Sequence, residues 1–157
     1  MSNTKPPLDR QLTLNRTFDA PRALVWKAWT DPAHLVHFWG PHGMTTPVCE
    51  IDLRPGGTFH TVMRDPDGNE HPSTGVYLDV TAPERLVFTD AYVSAWEPSE
   101  KPFMTMVLTL TEDGDKTNFT AEAKHWSVDD RQSHQDMGFE SGWGAMTERL
   151  ADHLKSL

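Results

Sequence analysis

The spacing of hydrophobic positions changes period twice along this chain. Leu12, Leu14, Arg16 and Phe18 alternate with polar neighbours, which predicts an opening strand. From Asp19-Ala20-Pro21 the spacing turns helical. Leu24, Val25, Ala28 and Trp29 make one apolar face, and Pro21 suits a first helical position because no partner is needed for its missing N–H. Thr30-Asp31-Pro32 repeats the start signal, and a short second helix runs to Trp39 before Gly40-Pro41 ends it. The period then drops to two. Strands are predicted at Val48 to Leu53, Thr58 to Arg64, Gly75 to Val80, Leu86 to Ala91, around Met104 to Thr111, and Thr117 to Lys124. Between them stand turn signals such as Pro55-Gly56-Gly57, Asp65-Pro66-Asp67-Gly68-Asn69 and Glu112-Asp113-Gly114-Asp115.

From Ser127 the helical period returns. Ser127 with Asp130 reads as a capping box, and Phe139, Trp143, Met146, Leu150, Leu154 and Leu157 recur on one stripe. The pattern predicts one long amphipathic helix from Ser127 to Leu157. Consecutive hairpins imply a single antiparallel sheet, which that helix covers, giving an α+β fold. The expected inward face of the sheet carries Phe59, Thr61, Met63, Val76, Leu78, Met104, Met106, Ala121 and Ala123. Gly138, Gly142 and Gly144 lie within the helical pattern, where each glycine costs about 1 kcal/mol relative to alanine. Gly138, Gly142 and Ala145 share a face beside the apolar stripe, so backbone or a ligand is expected to approach there. Small alanines opposite that strip leave room for a void between sheet and helix.

Composition narrows the function classes. The 157 residues suit one domain, residues 11–157, behind a loose polar tail at residues 1–10 that carries no signal-peptide pattern. A net charge of −9 argues against nucleic acid and anionic membrane as partners, since both need basic patches. No apolar run reaches a membrane-spanning length. Cys49 is the single cysteine, so no internal disulfide forms, which fits a reducing cytoplasm.

Several blocks resemble a known superfamily. They are Phe18-Asp19-Ala20-Pro21 with Val25-Trp26 and Trp29-Thr30-Asp31-Pro32, then Phe38-Trp39-Gly40-Pro41, then Asp52-Leu53-Arg54-Pro55-Gly56-Gly57-Thr58-Phe59. Asp67-Gly68, Pro83-Glu84-Arg85-Leu86-Val87-Phe88-Thr89 and Met137-Gly138-Phe139 with Gly142-Trp143 complete the set. In this order, from about Gln11 to the end, they resemble the SRPBCC (START and birch-pollen-allergen-like) superfamily, in the branch of heat-shock-protein-90 ATPase activator homologues. The resemblance implies a helix-grip fold: a curved antiparallel sheet wrapped around a long C-terminal helix, two short helices after the first strand, and a cavity between sheet and helix. Members bind lipids, hormones or polyketides, and some catalyse cyclisations. The resemblance also suggests a chaperone as partner, a link to stress response and a homodimer, without implying a cofactor. The eukaryotic activators carry a separate N-terminal domain, and this chain resembles only their C-terminal one.

The candidate chemistry favours a binding protein over an enzyme. The expected site for a small apolar or aromatic molecule comprises Trp39, Phe59, Met63, Leu78, Met104 and Met106, together with Gly138, Gly142 and Trp143. Trp96, in the loop from Tyr92 to Pro102, and Trp126 are further aromatic candidates, and that loop suits a lid. No nucleophile elbow, phosphate loop or dinucleotide fingerprint occurs, and no residue is assigned a catalytic role. A cyclase or hydrolase would draw on Asp90, Arg64 or His125 near strand ends. His34, His37 and His42 are close in sequence, but without paired cysteines they are expected to be solvated and not to ligate a metal.

Overall fold

A computed structural model describes residues 8–157. Most of the expected tail therefore lies outside the described residues. Its last part, Leu8–Arg10, is a 3-10 turn, and the Arg10 guanidinium donates to the Trp126 carbonyl at 2.9 Å. The chain then forms β1 (Gln11–Phe18), α1 (Arg22–Thr30) and α2 (Pro32–Leu35). Asp31 caps α2, its carboxylate accepting from the Ala33 N–H, with Pro32 at the helix start. Strands β2 (Thr45–Ile51), β3 (Thr58–Arg64), β4 (Glu70–Thr81) and β5 (Arg85–Thr89) follow. A small separate hairpin, β6 (Tyr92–Ser94) with β7 (Glu97–Pro98), interrupts the run before β8 (Met104–Asp113) and β9 (Lys116–His125). Two helices close the chain, α3 (Val128–Asp136) and α4 (Phe139–Lys155).

Seven strands make one antiparallel sheet in the order β1-β9-β8-β5-β4-β3-β2. Each hairpin pairs with its neighbour, and β1 closes the far edge against β9. The helices bury the inner face, in the helix-grip arrangement of the α+β class. The core runs from Leu12, Leu14 and Phe18 through Leu86, Met106, Leu108 and Phe119 to Trp143, Met146, Leu150 and Leu154 of α4. Ala121 and Ala123 are fully buried beneath the helices, where larger side chains would hold the layers apart.

Two expectations are corrected. The final helix is not continuous. Ser127 caps α3 as its sequence predicts, accepting from the Asp130 N–H at 3.1 Å, but the helix stops at Asp136. Gly138 then takes φ 94° and starts α4, a left-handed conformation that glycine adopts without the Cβ penalty. Leu157 falls beyond α4 and is exposed. The second correction concerns β4. Tyr77 pairs with Phe88 and Asp79 with Val87, so Leu78 is the extra residue of a bulge. Ahead of the bulge the inward residues of β4 are therefore Gly75 and Tyr77, opposite Phe59 and Phe88, and not Val76 and Leu78; past it Val80 turns inward against the core.

Gly142 lies one turn into α4 and is free of that kind of strain. A Cβ built there would meet only the Pro41 ring, at 4.0 Å. Gly142→Ala is expected to stabilise the fold by about 1 kcal/mol through helix propensity. Urea titration checks this; a destabilised variant would mean that the space beside Gly142 is filled.

Candidate functional site

The open space beside Gly142 is the floor of a cleft between sheet and helices. Its helix half, about 870 Å³ of empty space including the open mouth, lies against Gly138, Phe139, Gly142, Trp143 and Met146. Met63 and the Gly40-Pro41 corner form its other side, and exposed Met137 stands at the rim. A sheet half of about 450 Å³ continues it, past Phe59, Thr61, Gly75 and Phe88 to Thr89 and Asp90. Trp39, Ser73 and Met104 belong to both halves. With open solvent left out, the cavity of the helix half is about 340 Å³, at the lower end of the range of about 300–1,000 Å³ that small-molecule sites occupy, and that of the sheet half is about 80 Å³.

Rigid aromatic contacts hold the walls. Trp39 meets Phe59 edge-on at 5.2 Å and Trp143 at 6.4 Å, while Phe59 meets Phe88 at 5.2 Å. Behind them Trp29 stacks on Trp143 at 6.1 Å. The corner carrying Trp39 is fixed from α4. Arg149 donates through Nη1 to the carbonyls of Trp39, Gly40 and Pro41, and through Nη2 to that of His37, at 2.9–3.2 Å. Its burial lowers the guanidinium pKa, and the carbonyl oxygens around it compensate. Trp39 Nε1 is buried with no acceptor among the described residues.

Among the described residues two ionisable ones line the cleft, Asp90 in the sheet half and His134 in the helix half. The Asp90 carboxylate accepts from the N–H groups of Phe103 at 2.8 Å and Met104 at 3.0 Å, which fixes the start of β8. His134 Nδ1 lies 2.8 Å from Nε2 of His125. Cys49 is no substitute nucleophile: burial, with the Glu50 charge adding to it, pushes its thiol up to about 11.

The structure brings together seven of the nine expected site residues: Trp39, Phe59, Met63, Met104, Gly138, Gly142 and Trp143. Leu78 is carried away by the bulge, and Met106 is sealed in the core with none of its surface exposed. Trp96 and Trp126 are exposed and line neither half. Of the polar candidates, Arg64 pairs with Glu70 on the exposed end of β3, and His125 lies behind His134. Of the three clustered histidines, His42 parts from the other two, which meet at His153. His42 meets Glu148 at 2.9 Å, while His34 bonds His153 at 3.0 Å and His37 stacks on that same ring. Among the described residues no group of three metal-ligating side chains occurs. Sequence reasoning missed Arg149, His134, Phe139 and Met146; the last two lay on the predicted apolar stripe, but nothing marked the first two.

The comparisons agree with this architecture. The sequence profile of the family described as activator of Hsp90 ATPase homolog 1-like protein matches residues 19–155. Protein NE0264 from Nitrosomonas europaea is 38% identical, with 96% of this chain and 97% of that one covered, at a TM-score of 0.92. Protein Ms6760 from Mycobacterium smegmatis is 28% identical over 99% of this chain and 98% of its own, with a TM-score of 0.80. The AHSA1 protein SPO3351 from Silicibacter pomeroyi, at 20% identity, shares the fold over 92% of this chain and 97% of that one, with a TM-score of 0.71. No curated protein matches. Among the described residues no helix is long and apolar enough to cross a membrane. The matched span, the near-complete overlap with NE0264 and the sheet-and-helix frame together place the chain in the activator of Hsp90 ATPase homolog 1-like family.

Proposed function

We propose that this chain binds a small apolar or aromatic molecule in the cleft between the sheet and α4. The observation that carries the reading is a preformed cleft with aromatic and methionine walls, whose floor is left open by the missing side chain of Gly142. Methionine adapts to irregular apolar shapes, and aromatic rings supply large contact areas at little entropic cost. The unpartnered N–H of Trp39 offers one donor to a guest.

Thermal denaturation against a panel of lipids and aromatic metabolites tests the reading. A ligand present at a hundred times its dissociation constant adds about 2.7 kcal/mol, a rise of about 5–10 °C for a domain of this size. Gly142→Leu, whose side chain would project into the open floor, is expected to abolish that shift while leaving the fold intact. A panel without effect on the parent protein, or an undiminished shift in the variant, would remove the cleft as the site. The family description favours a second reading, contact with the Hsp90 chaperone through a surface. A chaperone ATPase assay separates the two: stimulation that survives Gly142→Leu supports the surface, and unchanged turnover disposes of it.

A further inference from the structure

Among the described residues His134 is the single ionisable side chain in the helix half of the cleft, and it is only 8% exposed. Its hydrogens can be assigned from its partners. His125 Nδ1 lies 2.8 Å from the Arg10 carbonyl oxygen, which only accepts, so His125 carries a hydrogen on Nδ1. A neutral His125 then presents a bare Nε2, and the hydrogen shared with His134 sits on His134 Nδ1. That leaves Nε2 of a neutral His134 unprotonated, on the side of its ring away from His125. Phe103 and Phe139 flank the ring at centroid distances of 4.9 and 5.0 Å, and neither provides a polar partner. Burial, reinforced by the neighbouring His125, brings the His134 pKa down to about 4, so the ring stays neutral at neutral pH.

The helix half of the cleft therefore holds a neutral acceptor among mostly apolar walls, with Ser73 as the other polar side chain besides the Trp39 N–H. Among the described residues no lysine or arginine lines either half, and the carboxyl group of the other ionisable wall residue, Asp90, already accepts from two backbone N–H groups. A carboxylate entering this space would lose its hydration without gaining a cation. An ether would leave the histidine lone pair unsatisfied. A neutral hydroxyl satisfies it.

We propose that Nε2 of His134 accepts a hydrogen bond from a hydroxyl on the bound molecule, so that the cleft selects neutral aromatic or alicyclic alcohols and phenols over their ethers and over carboxylates. This rests on the cleft being a ligand site. When the His125–His134 pair takes up one proton, that proton resides on His134 Nε2 whichever ring holds the charge, so the same atom changes from acceptor to donor.

Titration of the protein with naphthol, its methyl ether and naphthoate near neutral pH tests the selection. Naphthol is expected to bind at least about tenfold more tightly than either of the others, as sites built to hydrogen-bond a substrate group do. His134→Phe is expected to level naphthol and the ether without weakening the ether. Equal binding of naphthol and ether by the parent protein, or a preference that survives His134→Phe, would overturn the selection while leaving the cleft as an apolar site. Failure of all three to bind would remove both. A measurement independent of the variant's folding is nitrogen NMR of histidine-labelled parent protein. It should show His134 hydrogenated at Nδ1 and bare at Nε2, with the Nε2 resonance moving on addition of naphthol; the opposite tautomer would overturn the assignment.

Discussion

Trp29→Ala is expected to cost about 3–5 kcal/mol, the range for removing a large aromatic from a packed core. Trp29 is 1% exposed and joins four elements. Its indole stacks on Phe119 of β9 at 5.8 Å and on Trp143 of α4 at 6.1 Å, and meets Phe38 and Trp39 edge-on at 5.2 and 6.0 Å. Removing it leaves a void behind two walls of the cleft, and α1, α4 and the Trp39 corner lose their common support. Against a total stability of about 5–15 kcal/mol for a typical domain, that loss is a large fraction. Trp29→Phe should cost much less, because the indole Nε1 has no partner among the described residues and losing it breaks no hydrogen bond seen there. Urea unfolding of both variants, with Trp126→Ala as an exposed control, measures the effect. A Trp29→Ala loss below about 1 kcal/mol would show that the aromatic cluster is not a structural unit.

The second large effect is acid sensitivity. The folded state holds His134 neutral, with a pKa lowered from 6.5 to about 4 first by burial and then by His125. A group whose folded pKa is depressed takes up fewer protons in the native state than in the unfolded chain. Its contribution is therefore intact above pH 6.5, declines as the pH falls, and is lost once the pH has dropped through about 4. At about 1.4 kcal/mol per pH unit, the loss across that window is about 3 kcal/mol. Burial also lowers the His153 pKa, with further depression from His37 and His34, so acidification disfavours the native state at that second cluster too. Stability measured from neutral to acidic pH should fall more steeply in the parent protein than in His134→Phe, which has no group to protonate there. Parallel pH profiles for the two would sink the linkage.

The architecture was legible because strand alternation and turn residues agree along most of the chain, and because the capping serine of α3 and the stripe on α4 carry the helical period plainly. The cleft was legible in outline from the small residues opposite a methionine-bearing sheet. Local geometry then defeated the reading in three places. A bulge at Leu78 adds one residue without changing the hydrophobic pattern, so the parity of β4 inverted unseen. Gly138 reads as a weak helical residue, while its backbone forms a break that only glycine tolerates easily. The pairing of His125 with His134, and the reach of Arg149 to the Trp39 corner, depend on side chains meeting across elements, which no periodicity encodes.

The strand order carries a consequence for synthesis on the ribosome. Among the described strands, the first to emerge, β1, pairs only with β9, the last one made. Until residues near 125 have left the exit tunnel, Leu12, Leu14 and Phe18 have no sheet to join, and the corner at Trp39 waits longer still for Arg149. Such distant pairings close slowly. Nascent chains stalled before the last helix should therefore hold most of the strands and no finished pocket.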